Sequence, residues 1–264
     1  MMKNPIGICS WSLRNDAERI ARAMARPELS CLHLDISAAE KLRGLVSENG
    51  WTVSCTMTGF PQEDYSSLDA IRLTGGIVPD EVWPENRRIA LDAIQATAEL
   101  GVGQLSFHAG FIDHSDAAGF RTFCDRIVEL ADAAQDCGIL ILLETGQETA
   151  EDLRHFLDVV EHPALGVNFD PGNMILYGKG DPIEAIRILG PWIRHVHVKD
   201  AMASPVPGKW GSEVPWGDGE VDHGAFFHAL EEIGYTGAFA IEREGGDRRE
   251  EDILLAVERF EVYA

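Results

Sequence analysis

The chain has 264 residues, of which 45% are apolar and 25% charged. This length suits one α/β barrel, which typically takes about 250 residues, and the composition is that of a globular protein rather than a disordered chain. The formal net charge of −22 comes from 44 acidic and 22 basic residues. This charge counts against a nucleic-acid partner, because such partners need a basic surface.

The five cysteines form no closely spaced pair, and most of them lie in apolar stretches. They are Cys9, Cys31, Cys55, Cys124 and Cys137. An odd count without a pattern predicts reduced thiols in a reducing compartment. The sequence shows no signal-peptide pattern and no apolar run long enough to span a membrane. We therefore predict a cytoplasmic protein with no membrane partner.

Eight short apolar runs alternate with amphipathic segments along the chain. Runs of this kind are typical of parallel strands that are covered on both faces. In chain order they span 6–10, 31–35, 51–57, 104–108, 139–144, 165–170, 193–199 and 238–242.

Helical periodicity appears between these runs, most clearly in 85–100, in 120–137 and from Ile253 to Phe260. Eight βα units predict a closed (β/α)₈ barrel that forms a single domain over residues 1–264. The alternative, an open doubly wound sheet, normally carries a glycine-rich phosphate turn after its first strand. The first run here continues as Trp11-Ser12-Leu13, which offers no such turn.

Two connections are unusually long, 58–83 after the third run and 201–221 after the seventh. Both follow the carboxyl ends of strands, where barrels place their sites, and long loops there are usually lids or substrate walls. The connection 201–221 is rich in glycine and proline and contains Trp210 and Trp216. We expect it to close over a substrate.

Ligand-type side chains stand at the ends of four consecutive strands: Glu144, Asp170, His197 and Glu242. A buried carboxylate is costly unless it is paired or bound to a metal. Each residue alone has an ordinary structural explanation, and His195 shares the parity of His197, but together the four predict one divalent ion. Three carboxylates and one imidazole suit Mn²⁺, Mg²⁺, Co²⁺ or Zn²⁺.

Four motifs carry a resemblance that covers essentially the whole chain. They are LETG at 143–146, NFDPGN at 168–173, VHVKD at 196–200 and IERE at 241–244. In this order the chain resembles the sugar phosphate isomerase/epimerase family, the xylose isomerase-like TIM barrels that include tagatose 3-epimerase, hydroxypyruvate isomerase and inosose isomerase. The resemblance implies a mononuclear site made of Glu144, Asp170, His197 and Glu242. It also implies that Glu144 and Glu242 face opposite sides of the substrate and act as the acid–base pair on a metal-stabilised enediolate.

Further residues are candidates for substrate contacts, and the structural alternative for the aromatic ones is core or lid packing. The candidates are Trp11, His108, Asn173, Lys199, Trp216 and Arg243. Two of them depart from the family pattern. Several relatives have a histidine where this chain has Asn173, and an arginine shortly after the metal-binding histidine, where Lys199 would have to substitute.

These observations leave several functions open. The first is a metal-dependent isomerase or epimerase of a keto sugar or related polyol. The second is a lyase or dehydratase that acts on a keto sugar or a 3-keto glycoside. A sugar-binding barrel without turnover is disfavoured by the paired glutamates, and a three-zinc nuclease by the charge and by missing ligands. We expect a small-molecule sugar as the partner, and the lack of a phosphate turn favours a sugar without phosphate. The sequence allows either a monomer or a homo-oligomer.

Overall fold

The computed structural model describes residues 4–260, in which eight parallel strands close into a barrel. The barrel strands are β1 (Ile6–Cys9), β2 (Leu29–Asp35), β3 (Thr52–Met57), β4 (Gln104–Phe107), β5 (Leu140–Glu144), β6 (Leu165–Phe169), β7 (Ile193–Val198) and β10 (Phe239–Ile241). Seven of the eight predicted runs contain a barrel strand in full, and the run 31–35 covers all of β2 except its first two residues, so the predicted barrel is confirmed. The ring closes where β1 pairs with β10, with Gly7 opposite Ala240.

Helices follow the strands and cover the outside of the barrel. They are α1 (Ala17–Ala23), α2 (Ala39–Asn49), α3 (Leu68–Thr74), α4 (Trp83–Glu99), α5 (Ala117–Asp136), α6 (Ala150–Val160), α7 (Pro171–Tyr177), α8 (Pro182–Leu189), α9 (His223–Glu232) and α10 (Arg249–Phe260). Helix α5 begins three residues before its predicted segment, because Asp116 caps it by accepting the Ala118 N–H. None of the helices within 4–260 is both long and apolar enough to cross a membrane.

Close packing between strands restricts the choice of residue at one barrel position. A Cβ atom added to Gly7 would lie 1.9 Å from the carbonyl oxygen of Cys31 on the neighbouring strand β2. Only glycine therefore lets β1 run this close to β2. The carboxyl ends of β1 and its neighbours converge at the same edge of the barrel, which is where the candidate site lies.

The two long connections are partly ordered into regular elements. The first contains α3, and a hairpin of β8 (Asp200–Met202) and β9 (Ser212–Val214) begins one residue before the second and continues within it. Asp200 fixes the base of this hairpin, since its carboxylate accepts N–H groups from Gly217, Gly219 and Val221. The predicted connection thus has defined structure, held by a buried carboxylate, and its closure over a substrate stays a prediction.

Candidate metal centre and cavity

The four predicted metal ligands meet at the carboxyl edge of the barrel. Glu144 ends β5, His197 lies in β7, and Asp170 and Glu242 directly follow β6 and β10. One ligand atom from each of the four lies within 4.8 Å of the ligand atoms of the others, and all four residues are buried. The Nδ1 atom of His197 is 3.3 Å from oxygens of Asp170 and Glu242 and 3.4 Å from Glu144.

His195, the alternative ligand, points elsewhere. Its Nδ1 is 2.9 Å from the side-chain oxygen of Asn168 and its Nε2 is 3.0 Å from the Ser54 hydroxyl. His33 completes this layer below the site, with its Nδ1 2.9 Å from Nε2 of His197. The contact with His33 occupies Nε2 of His197 and leaves Nδ1 turned toward the carboxylates.

The donor set fits a divalent cation. Three carboxylates and one imidazole converge, all of them buried, and oxygen-rich sets with one nitrogen bind Mn²⁺, Mg²⁺, Co²⁺ or Zn²⁺. The pKa values of these groups reflect the crowding. Burial raises the pKa of Asp170 to about 6. Burial also opposes ionisation of Glu242, but Lys199 and His197 hold its pKa well below the usual range.

Residues that line the cavity donate hydrogen bonds to the carboxylates of Glu144 and Glu242. The indole N–H of Trp11 donates to Oε1 of Glu242 at 2.6 Å, and Lys199 Nζ donates to Oε2 of Glu242 at 2.9 Å. The side-chain amide of Asn173 donates to Glu144 at 3.0 Å, and His108 Nε2 lies 3.5 Å from the same oxygen. Burial works against ionisation of Glu144, yet the nearby His108 and His197 lower its pKa below the ordinary value.

A cavity of about 530 Å³ opens next to this cluster. Four of the candidates for substrate contacts, Trp11, His108, Asn173 and Lys199, line it, and Glu242 forms part of its wall. Several further lining side chains were not among the six predicted substrate contacts. These are Asp35, Glu63, Tyr65, Tyr177, Trp210, Glu213 and Glu244.

Trp216 does not lie where a substrate contact was expected. Its buried ring stacks on His223 at 3.9 Å between centroids and packs against Phe226 and Phe227 of α9. The Asp200 carboxylate accepts the N–H of Gly217, and this hydrogen bond holds the segment around Trp216 away from the cavity. Trp210, from the same connection, lines the cavity in its place and packs edge-on against Tyr177 at 4.7 Å.

Arg243 is the second correction, because its guanidinium does not border the cavity. It donates to Glu213 at 2.8 Å and to Asp252 at 2.9 Å. Successive side chains at a strand end point to opposite faces, and Glu242 already faces the barrel centre. Arg243 therefore points outward, where it holds Glu213 of the hairpin.

Comparison with known proteins agrees with this geometry. The chain has a TM-score of 0.90 and 28% identity to the crystal structure of a xylose isomerase domain protein from Planctomyces limnophilus, covering 100% of this chain and 98% of that one. It is 24% identical over 255 residues to the ketose 3-epimerase of Arthrobacter globiformis, covering 88% of this chain and 80% of that protein.

A second group of relatives matches over a shorter region. An inosose dehydratase of Bacillus thuringiensis is 25% identical over 141 residues, which is 47% of each chain, so this match spans about half the length of that relative. The family described as xylose isomerase-like TIM barrel matches residues 19–261. With this match, the closed eight-stranded barrel and the motifs at its strand ends, the chain belongs to the xylose isomerase-like TIM barrel family.

Proposed function

We propose that the protein is a divalent-metal-dependent isomerase or epimerase that moves a proton within a keto sugar or a related polyol. The observation that carries this proposal is the pair of buried glutamates, Glu144 and Glu242, on either side of His197. Their strands are separated by β6 and β7 in the ring. The two carboxylates therefore approach the centre of the barrel from different directions.

The residues of the cluster can be assigned two roles, metal binding and proton transfer. Glu144, Asp170, His197 and Glu242 would hold the ion, which supplies Lewis-acid stabilisation of negative charge that develops on substrate oxygens. Glu242 is kept ionised by Lys199 and is fixed by Trp11, so it is ready to accept a proton from the carbon next to the ketone. Glu144 is the group that exchanges a proton on the other face.

Elimination of water from a keto sugar or 3-keto glycoside is the second candidate. It begins with the same proton abstraction, and the inosose dehydratase relatives support it. One feature of the cavity also favours it. His108 lines the cavity with its Nε2 atom 3.5 Å from Glu144, and in this proposal it gives a proton to the departing hydroxyl.

The two candidates give different products in one experiment. The metal-loaded protein is incubated in D₂O with keto sugars, inososes and 3-keto glycosides, and each mixture is followed by NMR. Deuterium at the carbon next to the ketone, with an epimer or an aldose as product, is the expected result. Loss of a hydroxyl and formation of a carbon–carbon double bond would identify a dehydratase. Observing neither exchange nor elimination with any of these compounds would contradict both.

Metal binding is tested independently of activity. We expect about one divalent ion per chain, and we expect Asp170→Asn to weaken the affinity for Mn²⁺ by at least tenfold, since even partners outside the ligand shell contribute about 10–100-fold. Asparagine keeps the oxygen that caps α7 through the Asn173 N–H, so the fold is preserved. Calorimetric titration and metal analysis give the affinity and the stoichiometry.

Asp35→Asn is the matched control for this change, since Asp35 lines the same cavity but lies outside the ligand cluster. Its affinity for Mn²⁺ should stay at the wild-type value. Equal losses in the two variants, or an unchanged affinity in Asp170→Asn, would refute the assignment of Asp170 as a ligand.

The hairpin wall gives a further prediction. Trp210→Ala is expected to raise KM by about tenfold, because an aromatic face next to Tyr177 is lost from the cavity, while the metal content stays unchanged. Trp216→Phe changes the other tryptophan of the connection and should lower stability without changing KM. Steady-state kinetics and metal analysis of both variants test this, and a KM effect confined to Trp216→Phe would show that the wrong tryptophan had been assigned to the substrate.

A further inference from the structure

Glu213 of the hairpin is bound by the protein in the way that an anionic ligand would be. Its Oε1 atom accepts the backbone N–H of Glu244 at 2.8 Å and the Arg243 guanidinium at 2.8 Å. Its Oε2 atom lies 3.9 Å from Lys199 Nζ, and only 10% of its side chain is exposed. A backbone N–H together with an arginine is a combination that binds phosphate and carboxylate groups well.

The Glu213 carboxylate lies between the loops that follow the seventh and eighth barrel strands. Barrels that handle phosphorylated substrates often bind the phosphate with the loops after their seventh and eighth strands. In this chain the loop after the seventh barrel strand, β7, supplies Glu213, and the loop after the eighth, β10, supplies Arg243 and Glu244. The anion position between these loops is therefore filled by a side chain of the protein itself.

The remaining charges around the cavity offer no second place for an anion. Five of the lining residues carry carboxylates: Asp35, Glu63, Glu213, Glu242 and Glu244. Lys199 is the one lysine among the described lining residues, and no arginine is among them. Its ammonium already contacts Glu242 at 2.9 Å and Glu244 at 3.2 Å. A phosphate placed here would lose its water and face like charges.

We propose that the cavity selects uncharged keto sugars and rejects sugar phosphates and sugar acids, because Glu213 occupies the anion-binding position from within the protein. This selectivity rests on the proposed function, since it concerns the substrate of the same site. It also explains why Arg243, although it directly follows a ligand residue, makes no contact with the cavity.

The test compares an uncharged keto sugar that exchanges its proton in D₂O with the terminal phosphate ester of the same sugar. For the wild-type protein we expect kcat/KM to be at least about 100-fold lower for the ester, the size of discrimination that one misplaced polar group can give. Inorganic phosphate at millimolar concentration should not inhibit the wild type. Glu213→Ala frees Nη1 of Arg243 and the Glu244 N–H, while Asp252 keeps the guanidinium in place. The variant should therefore bind phosphate competitively and lose at least about tenfold of the discrimination.

Glu220→Ala is the matched control, because Glu220 lies in the same connection and contacts the Ala203 N–H rather than Arg243. It removes the same charge and should behave as the wild type. Glu213→Gln keeps a neutral acceptor in place and provides a second variant if the alanine variant is poorly folded; its discrimination should fall between those of the wild type and Glu213→Ala.

The outcomes separate this proposal from the proposed function. Exchange of the phosphate ester by the wild type at the rate of the uncharged sugar would overturn the selectivity and leave the isomerase assignment intact. Absence of exchange with every sugar would overturn the isomerase assignment, and phosphate titration of Glu213→Ala by calorimetry would still decide whether Glu213 fills an anion site. No phosphate binding to a folded Glu213→Ala protein would overturn it.

Discussion

Replacing Glu144 or Glu242 with glutamine is expected to lower kcat by about 10²–10⁴, the usual contribution of a positioned acid–base group. Glutamine keeps an oxygen that can serve as a metal ligand, but its amide cannot accept a proton. Loss of rate with retained metal therefore separates proton transfer from ligation. The lowered pKa values of both carboxyl groups, which oppose the effect of burial, agree with carboxylates that can remove a proton from carbon. The glutamate that returns the proton must first take one up from solvent.

Deuterium exchange measures the contribution of each glutamate to proton transfer separately. In an epimerase each variant loses the base on one face, so Glu144→Gln and Glu242→Gln should each still exchange the proton of one epimer, and of opposite epimers. Glu148→Gln is the control: burial raises the pKa of Glu148 to about 8, so the amide replaces a carboxyl that is largely protonated at neutral pH. Metal-loaded Glu144→Gln and Glu242→Gln proteins with near wild-type rates would reduce both residues to ligands.

The ligand cluster could be predicted from sequence because the parallel strands bring their carboxyl ends to the same edge of the barrel. Glu144, Asp170, His197 and Glu242 each stand at the end of an apolar run, and in a barrel all such ends meet at one edge. The prediction needed only the strand pattern and the residue types. The choice of His197 over His195 also follows from depth, since His195 lies two residues earlier in β7 and contacts Asn168 and Ser54 instead.

The wall of the cavity could not be predicted in the same way. Strands β8 and β9 have three residues each, too few for an alternating pattern, so the sequence gives no sign that Glu213 faces Arg243. Trp210 and Trp216 look alike in sequence, and their different positions depend on Asp200, whose contacts span 17 to 21 residues. The outward direction of Arg243 did have a sequence signal, because it alternates with Glu242.

Asp200→Asn should destabilise the protein by about 2–4 kcal/mol, because several hydrogen bonds to one buried charge are weakened together. The carboxylate accepts four backbone N–H groups, from Ala201, Gly217, Gly219 and Val221. An asparagine has one acceptor oxygen, and its amide group would face N–H donors that then have no partner. Denaturant unfolding measures the loss. Asp218→Asn, in the same connection but half exposed and paired with Arg259, should cost less than about 1 kcal/mol.

The pH dependence of this difference identifies the charge as its source. Burial by itself would raise the pKa of Asp200. The hydrogen bonds from His223 and the backbone N–H groups lower the pKa by more than burial raises it, so the folded-state pKa lies below the ordinary value. A depressed pKa contributes stability that is complete above the unfolded-state pKa of about 3.9 and is lost as the pH falls through the folded-state value. The gap between wild type and Asp200→Asn should therefore be constant near neutral pH and shrink below about pH 4. A gap that stays constant down to pH 3 would mean that shape, and not charge, holds the base of the hairpin on which Trp210 and Glu213 depend.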